Sequence, residues 1–162
     1  MDTRASGWRR WIWTFVVVQL IGLGIDAAWH GALSPGVEPE TFAEMVRHLA
    51  TVHLPLYVGV VGLFVTAIWA AADPVRRADA GLALPLVVAG ATVQLAGEVW
   101  HAYSHLSFRP NTFPELAGFL GLVVVVGATI VTGRRRSDRA AAESDHREYA
   151  EREARARERM TR

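Results

Sequence analysis

The stretch that decides the fold is FPELAGFLGLVVVVGATIVT, residues 113–132, in which Glu115 is the single charged side chain. A helix of about 20 apolar residues is long enough to cross the hydrocarbon core of a bilayer. Three similar runs precede it, so four spans are predicted: Trp11–Ala32, Leu49–Ala72, Ala80–Tyr103 and Phe113–Thr132. Their apolar residues are continuous rather than alternating, which predicts helices instead of barrel strands. The predicted fold is an all-α integral membrane protein, an antiparallel bundle of four transmembrane helices.

The composition agrees with a membrane protein and excludes several kinds of chemistry. Of 162 residues, 51% are hydrophobic, and a mean hydropathy of +0.19 excludes disorder and is unusual for a soluble domain. Cysteine is absent, which excludes disulfides, thiolate metal ligands and cysteine nucleophiles. All 17 basic residues are arginine, so lysine-based Schiff-base chemistry and P-loop phosphate binding are excluded. No basic patch interleaved with aromatic residues indicates a nucleic-acid partner.

Arginine placement predicts the orientation of the spans in the inner (cell) membrane. The cytoplasmic connections of membrane proteins are enriched in basic residues. Two of the five segments outside the spans hold only Arg47 and Arg109. The first of the other three holds Arg4, Arg9 and Arg10, and the second holds Arg76 and Arg77. The third holds ten arginines, of which Arg134, Arg135, Arg136 and Arg139 directly follow the fourth span. Both termini and the middle loop are therefore predicted to be cytoplasmic, and most of the six tryptophans are predicted to be interfacial anchors.

The predicted domains are a four-helix transmembrane domain, residues 1–133, and an Arg/Glu-rich tail, residues 134–162. The tail is expected to be a solvated cytoplasmic helix, because it pairs acids and arginines at i,i+4. These pairs are Glu148 with Arg152, Glu151 with Arg155, and Glu153 with Arg157.

The membrane domain reads as a tandem duplication of one helical hairpin, with copies at about residues 11–77 and 80–133. An offset of 75 residues pairs Gln19 with Gln94, and an offset of 59 pairs Gly59 with Gly118. The first offset also pairs Asp26 with His101, His30 with His105, and Pro35 with Pro110. The difference of the two offsets is an insertion in the first outer loop. The duplication predicts a pseudo-two-fold axis along the membrane normal, with equivalent polar residues at equal depth.

Histidines and carboxylates are concentrated at the outer ends of the spans. Asp26 and His30 are four residues apart, and Glu98, His101 and His105 follow at i, i+3 and i+7, so each set shares one helical face. Ionised carboxylates are costly inside a membrane and persist where they meet a cation, a proton or a partner. Glu-x-x-His is also the ligand spacing of dimetal sites in helix bundles. The alternative is a web of buried hydrogen bonds in which the carboxylates only orient the histidines.

Other ligands are predicted from the second and fourth spans. His53 is the first candidate, and His48 and Glu115 are further candidates. His48 and His53 lie about 140° apart on an ideal helix, so both can face the site only if the backbone is adjusted, which Pro55 permits. Thr41-x-x-Glu44 resembles a capping box that begins an amphipathic helix in the inserted loop.

The sequence is compatible with three functions. The leading one is a membrane metalloprotein with one or two non-haem ions (Fe, Zn, Cu or Mn) facing the extracytoplasmic side, performing redox or hydrolytic chemistry. The second is a b-type cytochrome in which His30 and His105 bind haem b. The third is a small metal-ion or proton transporter, in which Gln19 and Gln94 continue the polar stripe inward and a homo-oligomer is expected because four spans are few.

Overall fold

The computed structural model describes residues 3–35, 39–109 and 112–160, which form helices and short connections with no strand among them. The helices are α1 (Thr3–Ala28), continued by a π-helical turn (Trp29–Leu33), α2 (Phe42–Thr51), α3 (Leu54–Ala72), α4 (Pro74–Ala80), α5 (Ala83–Leu106) and α6 (Phe113–Met160). Four segments are long and apolar enough to cross a membrane: Gly7–Leu33, Leu54–Ala72, Ala83–Leu106 and Phe113–Arg134. The predicted all-helical fold with four candidate spans is therefore confirmed.

The second span begins five residues later than predicted, at Leu54 instead of Leu49. The intervening residues belong to α2, which ends at Thr51, and the chain turns at Val52 and His53 before α3 begins. Pro55 explains the break, because a proline in the first turn of a helix is tolerated while one in the interior removes a hydrogen bond and clashes with the preceding turn.

The apolar core fills the part of the bundle that is remote from the histidines. Trp8 and Ile12 of α1, Leu63 of α3, Leu84 of α5 and Val125 of α6 are fully buried within one cluster. Burial of Trp8 contradicts an anchoring role for this residue at a membrane interface. Four of the other tryptophans predicted to be anchors are well exposed: Trp11, Trp13, Trp69 and Trp100.

Small residues bring α1 against α3. A Cβ atom placed on Gly22 would lie 2.3 Å from the backbone nitrogen of Leu56, and one on Gly59 would lie 2.7 Å from the backbone nitrogen of Gln19. Neither contact leaves room for a side chain. The absence of both side chains therefore sets the distance between the two helices, as is common in membrane bundles.

Glycines also bring α5 against α6. A Cβ atom on Gly97 would lie 2.8 Å from the backbone nitrogen of Gly118, and one on Gly121 would lie 2.5 Å from the carbonyl oxygen of Gly90. Close packing of α1 on α3 and of α5 on α6 aligns the ends of the helices that carry the polar residues.

The chain divides into two compact units, Met1–Thr129 and Ile130–Arg162. The first contains every residue of the candidate site. In the second, Arg152 donates a hydrogen bond to Glu148, as the tail spacing predicts. Pro110, which the sequence pairs with Pro35, lies outside the described residues. The side chains of six charged residues used in the sequence predictions are also not described: Arg4, Arg135, Arg136, Arg139, Glu151 and Arg157.

Candidate metal centre

The first two polar side chains come from the end of α1. Asp26 lies in the last turn of α1 and His30 lies in the π-helical turn, where the Ser34 amide donates to the Trp29 carbonyl at 2.8 Å. Single π turns within helices are frequent at functional sites. Asp26 Oδ1 lies 3.5 Å from His30 Nε2, so the predicted pair faces one way.

Helix α2 brings His48 over the bundle. The predicted capping box is present, since the Glu44 amide donates to the Thr41 hydroxyl and the Thr41 amide donates to the Glu44 carboxylate. Hydrogen bonds from the backbone amides of Thr41 and Glu40 hold the pKa of Glu44 below its ordinary value. The face of α2 that carries Met45 and His48 is buried, so the inserted loop supplies one histidine to the site.

His53 occupies the centre of the site. It is the N-cap residue of α3 and is only 1% exposed. Its ring centroid lies 4.9 Å from that of His48, 5.5 Å from that of His105 and 5.6 Å from that of His101. The ring of His30 is 6.5 Å away. The turn before Pro55 therefore places His53 among the other four histidines of the membrane domain.

Helix α5 supplies the remaining pair. The Nε2 atoms of His101 and His105 are 3.1 Å apart, one helical turn from each other. His101 Nδ1 faces the carboxylate of Glu115, at the start of α6, at 3.7 Å. A carboxylate beside the second ring nitrogen is the arrangement that orients metal-binding histidines.

Two groups of these side chains could each hold a metal ion. One contains Asp26, His30, His48 and His53, and the other contains His53, His101 and His105; within each, one donor atom per residue lies within 4.8 Å of the others. We call the six residues together the histidine cluster. Metal–ligand distances of about 2.0–2.2 Å put neighbouring donors of a tetrahedral ion about 3.3–3.6 Å apart. Asp26 Oδ1 lies 3.2 Å from His53 Nε2 and 3.5 Å from His30 Nε2, so the donors already have nearly this spacing.

Most of the predicted site residues converge. His48, a further candidate ligand, belongs to the first group. The chain turns at Val52 and His53, so His48 and His53 do not lie on one continuous helix and can both face the site. Glu98 is nearly buried but lies outside both groups. Glu115 contacts His101 rather than joining either group. The sequence did not indicate the central position of His53, which follows from where α3 begins.

Two cavities adjoin the cluster. The first has a volume of about 450 Å³ and is lined by cluster residues together with Met45, Phe108 and Glu115. The second, of about 290 Å³, is bordered by Gln19, Glu98 and Leu122, among others. Asp26, His101 and Glu115 border both cavities. The first cavity gives a small molecule room beside the cluster, and the second extends from the cluster towards Glu98 and Gln19.

Gln94 of α5 is fully buried, and neither its amide nitrogen nor its oxygen has a hydrogen-bond partner. Leaving such a group unsatisfied costs about 1–3 kcal/mol. We expect Gln94→Met, which keeps a similar volume, to raise the free energy of unfolding in detergent by about this amount. Gln19→Met is the matched control, with a smaller expected gain, because Gln19 borders the second cavity. A loss of stability in Gln94→Met would contradict the cost assigned here to the unsatisfied amide.

Comparison with known proteins adds no relative. No family model, no curated protein and no solved structure matches the chain.

Proposed function

We propose that this chain is an integral membrane metalloprotein that holds non-haem transition-metal ions in the histidine cluster, at the extracytoplasmic end of its bundle. The observation that carries the proposal is the convergence of five imidazoles and one carboxylate, from four different helical segments, at one end of a bundle of apolar helices. Three of the five imidazoles, those of His48, His53 and His101, are buried, and buried ring nitrogens need partners. A bound metal ion is a partner that these imidazoles can share.

The donor set narrows the class of metal. Imidazole suits zinc, copper, iron and nickel, and an added carboxylate favours iron, zinc or manganese over Cu(I). Asp26 supplies the carboxylate of the first group, and the second group consists of imidazoles alone. Fe, Zn, Cu and Mn remain the candidates.

The membrane assignment is supported by the surface of the bundle. Large apolar side chains are exposed along its sides, for example Val17, Val61, Val99 and Phe119, where lipid would cover them. The arginine-rich connections support the proposed orientation, with the histidine cluster on the extracytoplasmic side. Arg76 agrees with a membrane interface at the opposite end, because its guanidinium lies 3.6 Å from the ring centroid of Trp69.

The glycine contacts support the duplicated hairpin. Gly22 meets the start of α3, and its counterpart Gly97 meets the start of α6. Gly62, which packs on α1, likewise corresponds to Gly121, which packs on α5. The two hairpins therefore use equivalent small residues to pack their helices.

The chemistry that fits this site is redox or hydrolytic. A bound transition metal supplies Lewis acidity or a redox couple. The chain itself places the Glu115 carboxylate 3.7 Å from Nδ1 of His101, and it provides a cavity of about 450 Å³ in which a substrate can reach the cluster. The carboxylate near His101 and the cavity beside the cluster therefore favour an enzyme that acts on a small substrate.

The two alternatives fit less well. A haem bound between His30 and His105 needs a flat gap between these two rings. The ring centroid of His48 lies 5.2 Å from that of His30 and 6.3 Å from that of His105, so the His48 ring lies close to both. A carrier needs a polar path through the bundle. The second cavity extends to Gln19, whereas Ile12, Leu63 and Leu84 fill the core beyond it.

Metal content with an absorption spectrum tests the proposal. Protein purified without a histidine tag is expected to contain at least one transition-metal ion per chain and to lack a Soret band. His30→Ala and His101→Ala are each expected to lower the metal content, because each removes a donor from one group. His146→Ala, in the exposed tail, is the matched control and should leave the content unchanged.

The proposal is wrong if both cluster variants retain the full metal content. It is also wrong if the parent protein contains stoichiometric haem, since the alternative with His30 and His105 as axial ligands would then hold.

A further inference from the structure

The two ligand groups of the cluster have one residue in common, His53. The remaining members of the first group, Asp26, His30 and His48, come from α1, its π-helical turn and α2. Those of the second group, His101 and His105, come from α5. His53 at the start of α3 therefore lies between two sets of donors that belong to different parts of the chain.

The two nitrogens of His53 have different surroundings. Nε2 lies 3.2 Å from Asp26 Oδ1, within the first group. Nδ1 is buried and has no hydrogen-bond partner. A ring nitrogen has one lone pair to donate, so a histidine that serves two ions must use both of its nitrogens. Nδ1 is the donor that remains for the second group.

The number of donors also favours two ions. The first group alone offers four ligands, which completes a tetrahedral site. The Nε2 atoms of His101 and His105 would remain, 3.1 Å apart, which is close to the spacing of neighbouring ligands on one ion. A single ion in the first position would leave this second pair of imidazoles without a metal.

We propose that the cluster holds two transition-metal ions that share His53, which binds the first through Nε2 and the second through Nδ1. This inference rests on the proposed function and goes beyond it by assigning a second position. The first position has four protein ligands and is closed. The second has three, His53, His101 and His105, and all three line the 450 Å³ cavity, which Asp26 and His30 of the first group also border. Zinc sites with three protein ligands and an open position are typically catalytic. The second ion is therefore the one that binds the substrate.

The shared histidine binds as an imidazolate when both positions are filled. Its ring proton is then released to solvent, and the two cations compensate the negative charge of the ring. Metal binding through histidine is generally coupled to proton release in this way.

Titration with Cu²⁺ tests the inference, because each Cu²⁺ ion carries one unpaired electron. The metal-free full-length protein is expected to bind two copper ions per chain, and their resonance signal should fall well below two spins because the imidazolate couples them. His30→Ala and His105→Ala should each bind one copper with the full signal of one spin. His146→Ala again serves as the control for copper bound by the tail.

His53→Ala removes the shared ligand and should abolish the coupling, so that any copper still bound gives its full signal. If this variant does not fold, the His30→Ala and His105→Ala results still decide the matter. One copper per chain in the parent would overturn the second position and leave the proposed function standing. Two copper ions with full signals in the parent would overturn the sharing of His53. Absence of copper binding at the cluster would overturn both proposals.

Discussion

Asp26→Asn is expected to weaken metal binding by at least about 10–100-fold, the loss seen when even an indirect carboxylate partner of a metal site is removed. Asp26 Oδ1 lies 3.2 Å from His53 Nε2 and 3.5 Å from His30 Nε2. The substitution keeps the size of the side chain and removes its negative charge. An amide oxygen is a weaker donor to a transition metal than a carboxylate, so affinity should fall while the fold is retained.

Competition with a chelator of known affinity measures this loss. Asp145→Asn is the matched control, because it makes the same chemical change on an exposed residue of the tail and should leave the affinity as it is in the parent. Unchanged affinity in Asp26→Asn would mean that the metal is held elsewhere, and a bound haem insensitive to the substitution would favour the cytochrome alternative.

Gly22→Ala is expected to destabilise the bundle by about 1–3 kcal/mol or more, the usual cost of forcing extra atoms into a well-packed core. A Cβ atom at this position would lie 2.3 Å from the backbone nitrogen of Leu56 and 2.6 Å from its Cα. Backbone atoms cannot yield as a flexible side chain can. Helix α1 would have to move away from α3, one turn from Asp26, so metal content should fall together with the thermal unfolding midpoint in detergent.

Gly24→Ala is a matched control on the same helix. Nothing lies within 4 Å of a Cβ atom placed on Gly24, and alanine is favoured over glycine in a helix interior by about 0.5–1 kcal/mol. This variant should therefore be as stable as the parent or slightly more stable. Equal stability of the Gly22 and Gly24 variants would contradict the close packing of α1 on α3.

The sequence was sufficient to predict the parts of the fold that depend on composition and spacing. Apolar runs of about 20 residues predicted four spans because the length of a helix follows directly from its residue count. The four-residue spacings of Asp26 with His30 and of His101 with His105 placed each pair on one helical face, and the structure confirms both contacts.

Features that depend on where one helix ends and the next begins were harder to predict. The turn at Val52 and His53 separates His48 from His53, and its exact position decides that His53 lies at the centre of the site. Glu98 shares a helical face with His101 but lies one turn away from it, so helical spacing alone did not separate it from the ligand groups. Burial of Trp8 depends on how α1 packs within the bundle, which residue type does not reveal.

X-ray absorption spectroscopy at the edge of the bound metal tests the central claim most directly, because it reports the atoms around the ion. A metal ion held by the histidine cluster should show a shell of nitrogen and oxygen at about 2.0–2.2 Å without sulfur. It should also show outer-shell scattering from at least two imidazoles per ion, weakened in His53→Ala. A shell of oxygen alone without imidazole scattering, or the scattering of a porphyrin, would contradict the central claim.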